Sequence, residues 1–136
     1  MEETMSNENL SVQISLFDKQ HLYLVDLLES LKNAIIGQEP KANLLQRFAL
    51  LIANVKQHFK DEEALMAHFE FDGFEPHKKS HDAIIKKVGL QFAEYSYNSP
   101  SINLEFFVTE LENEIVRHIL HVDRKYSDFF LSKGVK

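Results

Sequence analysis

A chain of 136 residues is long enough for one domain with a substantial core and too short for two ordinary ones. Its 44% hydrophobic and 26% charged residues are a globular composition, and only 4 Gly and 3 Pro leave little material for turns, so a few long helices are expected. The formal charge of -6 argues against nucleic acid or an anionic membrane surface as a partner, and the lack of cysteine excludes disulfides, thiolate ligands and cysteine nucleophiles.

Met1 to Leu10 is acidic and lacks the apolar stretch of a secretory signal, and no run of about 18 apolar residues exists to span a bilayer, so a cytoplasmic location is the default expectation. Residues 1–10 are read as a flexible tail on a single domain spanning 1–136. Val12, Ile14 and Leu16 then alternate with polar neighbours, which fits an extended arm laid on the domain. Asp18 is expected to cap a first helix that runs to about Ile36 and stops at Gly37, with His21, Leu24, Val25, Leu28, Leu31 and Ile35 on its inner face.

Pro40 opens a second helix reaching to about Glu70, whose inner stripe runs Leu44, Phe48, Leu51, Val55, His58, Glu62, Leu65 and Phe69 at steps of three and four. After Phe71-Asp72-Gly73-Phe74 a third helix is expected from about Pro76 to Tyr95, with His77, His81, Ile84 and Val88 inward. Tyr97-Asn98-Ser99-Pro100 forms the last turn, Ser99 serving as N-cap, and the fourth helix continues to near Phe130 with Leu104, Phe107, Leu111, Glu114 and His118 on its seam. Four long helices with short connections make an all-α, up-down-up-down antiparallel four-helix bundle with an extended N-terminal arm.

Five histidines and at least one glutamate interrupt these apolar seams. A lone inward histidine is ordinarily a hydrogen-bonded core residue, but this many would cost too much desolvation without a common partner. His58 with Glu62, and His77 with His81, are i,i+4 pairs whose side chains stand one turn apart on a helix face. His21 lies early in helix one, His58 and Glu62 late in helix two, His77 and His81 early in helix three, and His118 late in helix four. Alternating helix directions bring all of them to one end of the bundle. Five imidazoles and bridging carboxylates are too many ligands for one ion, so the count points to two, and the donor types admit iron, zinc or manganese. The zincin pattern and the Glu-x-x-His pairs of ferritin-like di-iron proteins are both absent.

Asp18-Lys19-Gln20-His21, His58-Phe59-Lys60-Asp61-Glu62-Glu63 with Met66, His77-Lys78-Lys79-Ser80-His81, and His118-Ile119-Leu120-His121-Val122-Asp123 resemble the hemerythrin signatures in order and spacing, over about residues 10–130. The resemblance, to bacteriohemerythrins among others, implies two iron ions: one held by His77, His81 and His118, the other by His21 and His58, with Glu62 and Asp123 bridging them along with an oxygen. It implies that dioxygen binds reversibly at an open position on the second iron, within a lining of Leu24, Phe59, Ile115 and Ile119. Asp123, five residues after His118, is rotated about 140° from it on an ideal helix, so a local distortion is needed to aim both at one site. Tyr126 matches a family tyrosine, standing behind the ligands or simply packing, while His68 and His121 have no motif role and are expected at the surface.

The sequence departs from the family pattern at Glu114, where tryptophan is common. Glu114 stands i,i+4 to His118, so its carboxylate is expected either to reach the bound ligand or to turn aside to a basic residue or water. The implied function is oxygen carriage, storage or sensing without net chemistry. The alternatives are a peroxidase or oxidase using Glu114 as general acid, and metal storage. No protein partner is evident in the sequence.

Overall fold

The structure, a computed structural model, describes residues 10–97 and 103–136. Its four long helices are α1 (Ser15–Ile36), α2 (Lys41–His68), α3 (Phe74–Ser96) and α4 (Leu104–His121), followed by a 3-10 turn (Asp123–Tyr126) and the short helix α5 (Ser127–Ser132). No strand occurs among the described residues. Each long helix packs on its two neighbours, α1 against α2 and α4, and α3 against α2 and α4, which closes the expected up-down-up-down ring.

The amphipathic stripes explain the packing. α1 buries Phe17, His21, Leu24, Leu28, Leu31 and Ala34, and α2 buries Phe48, Leu51, Ile52, Val55, His58, Phe59, Glu62 and Met66. Beyond the polar cluster, Leu28, Leu51, Val55, Val88, Val108 and Leu111 fill the interior with aliphatic side chains. Phe17, Tyr126 and Phe130 close the other side of the cluster, with ring centroids 5.7 Å apart for Phe17 and Tyr126 and 4.9 Å for Tyr126 and Phe130.

Several boundaries differ from the sequence expectation. α1 begins at Ser15, before Asp18, whose backbone N–H already donates to Ile14 O (2.9 Å). The Asp18 carboxylate instead accepts from Val12 N (2.8 Å) and Ser11 Oγ (2.9 Å), so it pins the arm and does not cap the helix. With the helix started there, Leu16 points outward while Val12, Ile14 and Phe17 are buried. Leu10, expected in the tail, is also buried. The left-handed residue that ends α1 is Gln38 (φ 55°), one position past Gly37.

The expected cap Ser99 and its Pro100 lie outside the described residues; α4 starts at Leu104, where the Asn103 side chain accepts from Phe106 N at 3.2 Å. That helix also ends earlier than expected. It stops at His121, and the chain tightens into the 3-10 turn that carries Asp123 before α5 resumes. The inner stripe of α4 is Leu104, Val108, Leu111, Glu112, Ile115, His118 and Ile119, so Phe107 and Glu114 fall on its margin. Glu112, nearly fully buried, is met by Lys32 of α1 at 3.4 Å.

Candidate metal centre

Two groups of potential ligands converge at one end of the bundle. Glu62, His77, His81, His118 and Asp123 form one, and His21, His58, Glu62 and Asp123 the other; within each, one atom per residue lies within 4.8 Å of the rest. Glu62 and Asp123 belong to both. α2 supplies His58 and Glu62 one turn apart, α3 supplies His77 and His81 in the same way, and α1 and α4 contribute His21 and His118. Asp123 joins only because the helix breaks after His121, which re-aims the chain between His118 and Asp123. All seven residues are buried.

The hydrogen bonds behind the rings determine what the inner atoms are. His21 Nδ1 donates to Leu10 O (3.1 Å), His58 Nδ1 to Gln20 Oε1 and His81 Nδ1 to Glu63 Oε2 (2.8 Å), while His118 Nδ1 shares a hydrogen bond with the Ser80 hydroxyl (2.9 Å). A neutral imidazole that donates from Nδ1 presents a lone pair at Nε2. The Nε2 atoms of His21 and His58 face one another at 3.1 Å, both turned into the cluster. His118 Nε2 stands 2.9 Å from Asp123 Oδ1, and His81 Nε2 3.1 Å from Glu62 Oε1.

None of these inner atoms outside the His21–His58 pair has hydrogen-bonding geometry: Glu62 Oε1, His77 Nε2, His81 Nε2, His118 Nε2 and both Asp123 oxygens are buried without a hydrogen-bond partner. Imidazole nitrogens and carboxylate oxygens converging in a dry interior need positive charge among them, from protons or from a cation. The donor set thus fits a metal centre, with Glu62 and Asp123 belonging to both ligand groups.

Without metal, protons partly replace that positive charge. Burial, the largest influence, pushes the Glu62 carboxyl up and the Asp123 carboxylate adds to this, yet His58, His77 and His81 outweigh both and hold it at about 2. Burial pulls the His77 imidazole down, but Asp123 and Glu62 overcome it and lift the ring to about 9. Asp123 is likewise held well below the usual carboxylate range: burial opposes this, and His118, His21 and His77 prevail.

Tyr126, fully buried, donates its hydroxyl to Glu62 Oε2 and stacks on His77 at 5.6 Å. It fixes the shared carboxylate from outside. Phe59 lies flat on His81, with centroids 3.8 Å apart and planes 5° from parallel. Leu24, Ile115 and Ile119 are buried in the surrounding core. His68 and His121 are exposed.

Glu114 is not brought to the cluster. Its side chain is 27% exposed and its carboxylate accepts from Lys87 Nζ at 3.1 Å, across the α3–α4 surface. There it lines an open groove of about 460 Å³ with Ser80, Lys87, Arg117, His118 and His121. Lys87 offers a solvent-side partner, whereas an inward turn would add a third carboxylate to a dry site already holding two. Glu114→Gln is therefore expected to leave the metal content unchanged and to shift thermal stability by less than about 1 kcal/mol, as for other surface ion pairs. Metal analysis and a melting curve check both points.

Sequence reasoning gives no role to the acceptors Leu10, Gln20, Glu63 and Ser80. Three of them sit inside the motif segments, at Gln20 before His21, Glu63 after Glu62 and Ser80 before His81. Adjacency to a ligand is the one signal they carry. The Leu10 backbone carbonyl has no side-chain signature at all.

A four-helix bundle with two buried His/carboxylate groups that share Glu62 and Asp123 defines a protein with a candidate metal centre. The family model described as hemerythrin HHE cation binding domain matches residues 12–129, and this chain belongs to the hemerythrin family. It is 30% identical over 109 residues to a hemerythrin subunit of Sipunculus nudus, covering 80% of this chain and 78% of that one. A solved structure described as wild-type hemerythrin superposes with a TM-score of 0.78 at 23% identity, over 85% of this chain and 87% of that one, and a mutant structure matches with the same score. Among the described residues, no helix is long and apolar enough to cross a membrane.

Proposed function

We propose that this protein holds two iron ions and binds dioxygen reversibly, as a carrier, store or sensor that performs no net chemistry. The observation that carries this reading is the inequality of the two ligand groups around their shared carboxylates. One group has three imidazoles and the other two, so an ion at His21 and His58 would have one protein ligand fewer and a coordination position left for an exogenous one. Ferrous ions held there would supply the electrons for reversible binding of dioxygen.

The residues of the chain serve this in distinct ways. His77, His81 and His118 would hold one ion and His21 and His58 the other, with Glu62 and Asp123 available to both. Leu24, Phe59, Ile115 and Ile119 supply an apolar surround that keeps bulk water from the centre. A small opening beside His58, lined by Gln20, Tyr23, Leu24, Asn54 and Gln57, offers a way in on the side of the two-histidine position. The peroxidase or oxidase alternative required Glu114 as an acid at the site, and Glu114 is paired with Lys87 instead.

Protein purified without added metal is expected to contain about two irons per chain, and its reduced form to change colour reversibly on exposure to air. Zinc in place of iron, one metal per chain, or an irreversible change on the first exposure would each overturn the proposal.

A further inference from the structure

The hydrogen bonds behind the metal ligands differ in charge, and that difference falls on one side of the centre. His21 is backed by a backbone carbonyl, His58 by the Gln20 amide and His118 by the Ser80 hydroxyl, all neutral partners. His81 alone among these four is backed by a carboxylate, Glu63, at 2.8 Å. Lys78, the nearby cation on α3, is directed to Asp82 at 3.0 Å. Phe59 and Glu63 stand i,i+4 on α2, so one face of that helix grips His81 twice: the Phe59 ring fixes its plane and the Glu63 carboxylate fixes its Nδ1.

We infer that Glu63 is a positioning residue: its carboxylate, accepting from His81 Nδ1, orients that imidazole and strengthens its donation to the ion at the three-histidine position, so the two metal positions are electronically unequal before any oxygen arrives. The inference rests on the dinuclear reading above. A carboxylate behind a metal-bound imidazole raises the basicity of the ring, and loss of such a partner typically costs about 10–100-fold in metal affinity. The neutral acceptors behind His21 and His58 orient their rings without adding charge. The three-histidine position is thereby biased toward the more highly charged metal state.

Gln20 and Ser80 provide the contrast within the same molecule. Gln20 Nε2 donates to Asp61 Oδ2 at 2.7 Å while its Oε1 accepts from His58, so the Asp61 charge is one residue removed from the imidazole. Ser80 lines the open groove beside His118, where water can replace its hydroxyl.

Titration of metal-free protein with Co(II) tests the inference independently of oxygen chemistry. Wild type is expected to take up two Co(II) per chain. Glu63→Gln, which keeps the shape and an accepting oxygen but removes the charge, is expected to weaken one of the two by about 10–100-fold and spare the other, whereas Ser80→Ala changes neither by more than a few-fold. In the iron-loaded protein a tenfold loss of ferric preference reads as a rise of about 59 mV in one midpoint potential, which a merely structural role would not produce. The shorter pair Glu63→Asp and Glu63→Asn, alike in shape and different in charge, repeats the comparison whatever the packing of Gln at this position.

Unchanged Co(II) affinities and potential in Glu63→Gln, or effects equal to those of Ser80→Ala, overturn the inference while leaving the dinuclear reading intact. A wild type that takes up no pair of ions overturns both.

Discussion

Glu62→Ala is expected to abolish both tight metal positions, while His118→Ala empties only one. Glu62 is the more consequential residue because it belongs to both ligand groups, whereas His118 belongs to one. Its two oxygens are also held apart for different tasks. Tyr126 donates to Oε2, and Oε1 stands 3.1 Å from His81 Nε2 and 3.8 Å from His77 Nε2 without a hydrogen bond.

Removing that carboxylate leaves Asp123 as the one carboxylate facing the inner nitrogens of the five imidazoles, with Glu63 behind His81, and strands the Tyr126 hydroxyl without its acceptor. The remaining histidines then have too little negative charge to draw divalent ions out of water. Metal analysis after equilibration at concentrations that saturate wild type reads the outcome directly. Two ions retained in Glu62→Ala would show that Glu62 does not bridge the positions. Loss of both in His118→Ala would show instead that the positions fill only together.

The features most legible in the sequence were those that follow from helix geometry. Pairs at i,i+4 fix a common face without knowledge of the neighbours, so His58 with Glu62 and His77 with His81 point together in any bundle that forms. Alternating helix direction then places His21 and His118 at the same end. The demand for a distortion after His118 was also legible, because an unbroken helix carries Asp123 about 140° away. The form of the distortion was not. The apolar residues Tyr126 and Phe130 keep roughly the helical spacing across the break, so periodicity alone extends α4 through to Phe130, where the structure has a 3-10 turn and a separate α5.

Glu114 shows the other limit. Leu104, Leu111 and His118 repeat every seven residues and define the seam of α4, but they do not say on which side of them the buried flank lies. Phe107 with Glu114, and Val108 with Ile115, are both permitted by the spacing. Tertiary packing selects the second pair, with Lys87 of α3 placed to receive Glu114 at the surface and Lys32 of α1 to meet the buried Glu112. Neither lysine is near its partner in sequence, so no local pattern shows the choice.

Removal of the metal is expected to lower the melting temperature, and to lower it more at pH 9 than at pH 6.5. Ions held at a thousandfold excess over their dissociation constant stabilise the native state by about 4 kcal/mol, which corresponds to roughly 10–20 °C for a domain of this size. The pH dependence comes from the groups that the ions leave behind. His77, lifted from 6.5 to about 9 in the metal-free protein, contributes stability that is complete below pH 6.5 and lost as pH rises through 9. His21 acts in the same direction: burial opposes its rise, but Asp123 and the Glu62 charge overcome it. Glu62, lowered from 4.5 to about 2, contributes stability that is complete above 4.5 and lost as pH falls through 2. His58, lowered chiefly by burial, contributes fully above 6.5 and loses stability only below it. The metal-free protein should therefore be most stable near pH 6.5 and weaken toward 9. The metal-bound protein has no such loss on the alkaline side, because its imidazoles are already unprotonated and a rising pH relieves proton competition for the ligands. Melting curves of both forms between pH 6.5 and 9 should diverge. Parallel curves would show that carboxylate-held protons on His77 and His21 do not replace the missing ions, and that the metal-free site relaxes into some other arrangement.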